Sequence, residues 1–230
     1  MTELLGTNYK LDKAAPGVRI VGLSLLPHTL GGGPSLCPYS TPECRELCLV
    51  HTGRNHMPAP VQAKANRTAL YRTDPGEFRR TLFKEVLRAA HSAARARMRL
   101  AVRLNVYSDV RWEREFPGLF ESMPEVQFYD YTKWPCTGRT DLPGNYHLTY
   151  SYSGTPVSDR HAQGWLERGV NVAVVFNGAL PGTWRGHRVV AGDDSDYRPA
   201  DPVPCVVGLL YKGARGKLVN IRRFVQPGKE

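Results

Sequence analysis

The chain has 230 residues and a formal net charge of +10, its 31 Lys and Arg outweighing 21 Asp and Glu, and arginine supplies 23 of the basic residues. That length allows one ordinary hydrophobic core, no apolar run approaches the ~18 residues needed to cross a bilayer, and the opening MTELLGTNYKLDK lacks a secretory layout. The expectation is a single domain over residues 1–230 in the cytoplasm, with no membrane partner and with a polyanion as partner, because the planar guanidinium fork suits phosphate.

In chain order, VRIVGLSLL (18–26) is an apolar run of β type. SLCPYSTPECRELCLVHTGR (35–54) follows, packing three cysteines and a histidine into a short stretch. A helical region then covers about 61 to 98, with an internal start signal: Asp74 as N-cap, Pro75 at the first helical position and Glu77 placed to close a capping box. RLAVRLNVYSD (99–109), a short helical piece near 113–122 and VQFYDYTK (126–133) come next. YHLTYSYSG (146–154) precedes a helix from about Ser158 to Gly169, and GVNVAVVFNG (169–178), HRVVAG (187–192) and CVVGLLYKG (205–213) read as strands.

Strands alternating with helices predict an α/β fold with a parallel sheet, either open or curled into a partial or irregular barrel. A sheet covered by helices on both sides is apolar on both faces, yet Val102, Leu104 and Val106 alternate with Arg103, Asn105 and Tyr107, and Leu148, Tyr150 and Tyr152 with His147, Thr149 and Ser151. One polar face predicts a cavity lining. The expected architecture is therefore a partial or irregular (β/α) TIM-like barrel with an N-terminal metal-binding Cys/His insertion at residues 35–56; a half-solvated antiparallel sheet is the alternative. In a barrel, chemistry sits at the C-terminal strand ends, which here hold Asn105, Ser108 and Asp109; Asp130 and Lys133; Ser151 and Ser153; Asn177; Asp193, Asp194 and Asp196; and Lys212. Singly, each is a loop cap or a solvated charge.

In a reducing compartment, five cysteines point to metal ligands, nucleophiles or buried thiols. If ECRELCLVH is helical, Cys44, Cys48 and His51 share a face and Cys37 reaches in from the preceding loop. Three thiolates and an imidazole make a closed tetrahedral zinc site. The rival is an iron–sulfur cluster: the radical S-adenosylmethionine enzymes carry three clustered cysteines after the first strand of a partial barrel. This segment also follows a first strand, although His51 stands where their motif has its third cysteine. Buried, unliganded thiols are the third reading, and for the isolated Cys136 and Cys205 core filling is expected. The basic runs RRTLFKEVLR (79–88) and RARMRL (95–100) form either a solvated face or a stripe against a nucleic-acid backbone, and KGARGK (212–217) and RRF (222–224) make a basic C-terminal end. Phosphate-loop, dinucleotide, Gly-x-Ser-x-Gly and His-Glu-x-x-His patterns are lacking.

The ordered set LCPYSTPECRELC, RLNVYSD, FYDYTK, NYHLTYSYS, GDDSDYRPAD and GLLYKG, from about residue 20 to 213, resembles a family of small phage and actinobacterial proteins with a three-cysteine motif. More distantly, the chain resembles the guanine transglycosylases, barrels with a zinc site of three cysteines and one histidine. They exchange guanine for a 7-deazaguanine in tRNA or, in a phage branch, in DNA. That resemblance implies Zn2+ on Cys37, Cys44, Cys48 and His51, a double-stranded DNA substrate, a modified nucleobase as second substrate, and an aspartate nucleophile. Asp130 is the first candidate for that role and Asp109 the second. Asp193 or Asp196 would meet the guanine edge, Tyr107, Tyr129 or Tyr131 would stack on the flipped base, Lys133 would hold phosphate, and Asn105, Ser108, Ser151 and Lys212 would complete the pocket. Two alternatives stay open: an iron–sulfur enzyme that uses S-adenosylmethionine, and a non-enzymatic zinc-containing protein that binds nucleic acid.

Overall fold

The computed structural model describes residues 2–8, 11, 15–212 and 223–229. Leu5–Gly6 (β1) pairs antiparallel with Val18–Leu23 (β2). From β2 the sheet runs in parallel through Arg99–Arg103 (β3), Gln127–Thr132 (β4), Tyr146–Ser151 (β5) and Val172–Asn177 (β6). Thr183–Trp184 (β7) and His187–Ala191 (β8) form an antiparallel hairpin. Val206–Leu210 (β9) lies parallel between β6 and β8. Val225–Pro227 (β10) joins β6 in parallel from Val175 onward, beyond the point where β5 pairs through Tyr150 and Ser151. The described strands thus form one sheet in the order β1-β2-β3-β4-β5-β6-β9-β8-β7, with β10 off that path.

This parallel register overturns the antiparallel alternative. The expected closure into a barrel is not seen among the described strands. Closure would have to join the outer edges of β2 and β8, and those edges are occupied by β1 and β7.

Six α-helices connect the described strands: Pro42–Glu46 (α1), Pro58–Thr73 (α2), Pro75–Arg95 (α3), Trp112–Glu115 (α4), Pro117–Glu121 (α5) and Pro156–Glu167 (α6). The long helical region is split at Asp74, whose side chain accepts the Glu77 N–H at 2.9 Å, so the internal cap starts a second helix. Along α3, Phe78, Leu82, Val86 and Ala93 recur at helical spacing and are buried. They pack with Val102, Phe128, Leu148 and Val174 of the sheet and Trp165 of α6 in the main core.

The opposite face is the polar one that the alternation predicts. Its apolar part is small, with Ile20, Ala101 and Tyr129 in one cluster and Ala173, Cys205 and Val207 in another. Arg103 crosses it to Asp196, and Arg198, only 1% exposed, donates to the Ser195 carbonyl and pairs with Asp201 at 3.1 Å. The polar side chains are therefore buried beneath the 192–204 segment. Among the described residues no helix is long and apolar enough to cross a membrane. Residues 213–222, which hold most of the basic C-terminal end, lie outside the described residues.

Candidate functional site

After β2 the chain turns at His28, whose φ of 39° is left-handed for a non-glycine residue. The His28 N–H donates to Cys37 Sγ at 3.4 Å, and Cys37 Sγ donates to the Tyr107 carbonyl at 3.4 Å. The Asp109 N–H also donates to the Leu36 carbonyl at 2.7 Å, so the cysteine segment is fastened to the loop after β3. Thr41 starts α1 by accepting the Cys44 N–H at 3.2 Å.

This helix ends at Glu46. Cys48 has extended geometry (φ −59°, ψ 131°) before a 3-10 turn over Leu49–His51. ECRELCLVH is consequently not one helix, and the expectation that Cys44, Cys48 and His51 share a face is corrected. The three thiols still lie within electrostatic reach of one another. Burial first, and then the neighbouring Asp109, Cys44 and Cys48, push the Cys37 thiol up to about 12; burial and Cys44 raise Cys48. The charge of His51 bears instead on His28.

Among the described residues, no group of three or more His, Cys, Asp or Glu side chains stands close enough to hold a single metal ion. The three thiols act electrostatically on one another, and His51 acts on His28, whose N–H meets Cys37. An iron–sulfur cluster would require the three thiols to draw together. A closed zinc site would require His51 to join and the thiols to draw together.

Beneath the thiols lie the ends of β3 and β4. Asp109 is 7% exposed; its Oδ2 accepts the Lys133 N–H at 2.7 Å, while its Oδ1 has no hydrogen bond and faces Arg139 Nη1 at 3.9 Å. Arg139 holds Glu113 with two bonds, at 2.9 and 2.5 Å, and its Nη1 likewise lacks a hydrogen bond. Burial pushes the Asp109 carboxyl up, opposed by Arg139 and the Lys133 N–H. Lys133 Nζ donates to the carbonyl and hydroxyl of Ser151 at 2.9 and 3.1 Å. Burial lowers the lysine pKa, opposed by Cys44, Asp109 and Cys37.

The structure thus brings Cys37, Cys44, Cys48, Asp109, Lys133 and Ser151 to one rim. Trp134 belongs to it too, its indole N–H on the Asp109 carbonyl at 3.0 Å and its ring against Arg111 and Tyr39. Phe224 lies 5.2 Å from Lys133 Nζ, because the C-terminal segment passes over the end of β5. At Gly154 (φ 74°) an added Cβ would collide with the Arg223 carbonyl, so only glycine lets the two segments approach. The sequence reading missed Trp134, Arg139, Tyr39 and Phe224. Trp134 adjoins Lys133 and could have been found, but nothing in the sequence pattern marks Arg139 as the partner of Asp109 and Glu113.

A family model described as gene product 88 matches residues 2–225. The chain belongs to the gene product 88 family. No curated protein and no solved structure matches it. In this gene product 88 chain the match runs through the thiol segment and every strand end just described.

The remaining predicted residues of the gene product 88 protein lie elsewhere. Asp130 is 0% exposed: Oδ1 accepts the Asn105 N–H at 2.6 Å, and Oδ2 accepts Asn105 Nδ2 and the Tyr146 hydroxyl at 3.1 and 2.7 Å. Burial pushes its carboxyl up to about 7, against those donors. The expectation of a nucleophile is corrected for Asp130, whose oxygens are sealed and committed. It positions Asn105, whose Oδ1 in turn accepts from Ser108 Oγ, the Val110 N–H and Trp112 Nε1. Asn105 and Ser108 therefore brace the 105–112 loop. Tyr129 donates to Asp196 at 2.9 Å on the opposite face, and Asp193 pairs with Lys212 at 2.7 Å beyond β9. Neither pair reaches the thiol rim. The Tyr107 hydroxyl donates to Asn55 Oδ1 at 2.7 Å, and Cys136 and Cys205 are buried.

Proposed function

We propose that this gene product 88 protein is a cytoplasmic enzyme that modifies nucleic acid, with Cys37, Cys44 and Cys48 holding an iron–sulfur cluster and S-adenosylmethionine as co-substrate. The supporting observation is the convergence at one rim: three thiols after the first parallel strand, Asp109 after the next, and Lys133 after the one beyond. Parallel α/β sheets carry their chemistry at that end. A bound cluster supplies the electron for reductive cleavage of S-adenosylmethionine. Around it, Lys133 has a third ammonium proton to offer a ligand carboxylate or phosphate, Asp109 Oδ1 accepts, and Arg139 balances the carboxylate charge.

Nucleic acid as the partner rests on the +10 charge and on α3, where Arg80, Lys84, Arg88, His91 and Arg95 are all exposed at helical spacing. They form a stripe about 22 Å long, suited to a phosphate backbone. Anaerobic purification tests the reading. The expected protein is brown, contains iron and acid-labile sulfide, cleaves S-adenosylmethionine when reduced, and loses all three properties on Cys44→Ser. A colourless, iron-free protein would overturn it.

A second reading, a zinc-dependent DNA guanine transglycosylase, draws support from Asp109, the buried carboxylate beside the thiols with an uncommitted oxygen. Here Asp109 replaces Asp130 as the group that attacks the anomeric carbon. Incorporation of labelled 7-deazaguanine into duplex DNA, abolished by Asp109→Ala, is its expected signature.

A further inference from the structure

On the sheet face opposite the main helices, a cavity of about 650 Å³ lies between the 49–55 segment and the end of β3. Leu11, Leu49, Val106 and the Tyr107 ring supply its apolar wall, Arg54 and Arg103 its charge, and no Asp or Glu lines it among the described residues. Tyr107 separates it from the thiol rim, lining the cavity while its carbonyl holds Cys37.

Arg103 gives the cavity its chemistry. It is 7% exposed, its Nη1 holds both oxygens of Asp196 at 3.1 Å, and the guanidinium lies 4.8 Å from the Tyr131 ring centre. Its Nε is buried without a hydrogen-bond partner. Asp196 offsets the Arg103 charge, while Arg54, exposed at the mouth, adds a positive one.

We propose that this cavity binds a nucleotide: the base against Leu11, Leu49 and Val106, its edge or sugar beside the Arg103 side chain, and the phosphate at Arg54. The inference rests on the nucleic-acid reading above for its class of ligand. The volume accommodates a nucleoside monophosphate within the usual range for small-ligand sites. S-adenosylmethionine, with a sulfonium and an ammonium against one carboxylate, is disfavoured where two guanidinium groups and no carboxylate line the wall among the described residues.

Calorimetric titration of the full chain tests this, using dGMP and AMP, the corresponding nucleosides, a duplex with one unpaired base, and S-adenosylmethionine. Arg54→Glu and Leu49→Glu alter exposed side chains and leave the core intact. The expected result is nucleotide binding that weakens at least about tenfold on removal of the phosphate and in each variant. Binding of mononucleotides identifies a free nucleotide as the source; binding of the duplex alone identifies an extruded base, and both outcomes carry the proposal. It is overturned if no nucleotide binds, if both variants bind as tightly as the parent, or if S-adenosylmethionine is the sole ligand. Iron is measured on the same samples. Nucleotide binding by an iron-free protein breaks the enzyme reading and leaves the cavity, whereas an iron-loaded protein that ignores nucleotides does the reverse.

Discussion

Asp130 within β4 and Asp109 in the loop after β3 are buried alike, at 0% and 7% exposure, but their surroundings differ. Three donors from Asn105 and Tyr146 engage both oxygens of Asp130. Asp109 receives the Lys133 N–H on one oxygen and leaves the other beside Arg139 at 3.9 Å, next to the thiols. A carboxylate whose lone pairs are committed belongs to the frame, because removing it strands its donors. One whose second oxygen lacks a donor has acceptor capacity to spare.

The sharpest way to break this contrast is alanine at each position. Asp130→Ala leaves the Asn105 N–H, Asn105 Nδ2 and the Tyr146 hydroxyl without their acceptor and should cost roughly 3–5 kcal/mol in urea unfolding. Asp109→Ala strands the Lys133 N–H while Arg139 keeps Glu113, and should cost about 1–2 kcal/mol but abolish activity. Equal stability losses would erase the distinction.

Serine at Cys37, Cys44 or Cys48 should reduce bound metal to background with little effect on the metal-free fold. Cys136→Ser, in the core, should lower stability and leave metal content intact, as metal analysis beside denaturation would reveal.

A pH series separates the aspartates further. With the Asp130 carboxyl raised from 3.8 to about 7, the native state keeps a proton that the unfolded chain releases. This favours folding fully below pH ~4 and is lost as the pH rises through 7. Asp130→Asn should flatten that slope in urea midpoints measured between these limits, and an unchanged slope would mean that the three donors keep Asp130 ionised throughout. The smallest stability effect belongs to the exposed stripe. Lys84→Glu with Arg88→Glu should move stability by no more than about 0.5 kcal/mol per site, yet weaken DNA binding and reduce its salt dependence.

The strands, the split at Asp74 and the polar sheet face were legible because each is a local pattern: period-two alternation, or a cap three residues from its donor. Cys37, Cys44, Cys48, Asp109, Lys133 and Ser151 could be chosen as rim residues for the same reason, since each lies in or just past a strand or its following loop. Whether ECRELCLVH forms one helix was undecided, because continuation through Leu47 and Cys48 depends on what anchors the loop. Its anchor, the contact between Cys37 and the Tyr107 carbonyl, spans 70 residues. The fates of Asp130 and Asp109 were likewise undecided until tertiary packing put Tyr146 on one and Arg139 on the other. Barrel closure turned on β1 and β7, two residues each and too short to show a period. Periodicity and capping act within a few residues and can be read from the chain, whereas which donor meets which buried acceptor is set by contacts tens of residues apart that exist only once the sheet has formed.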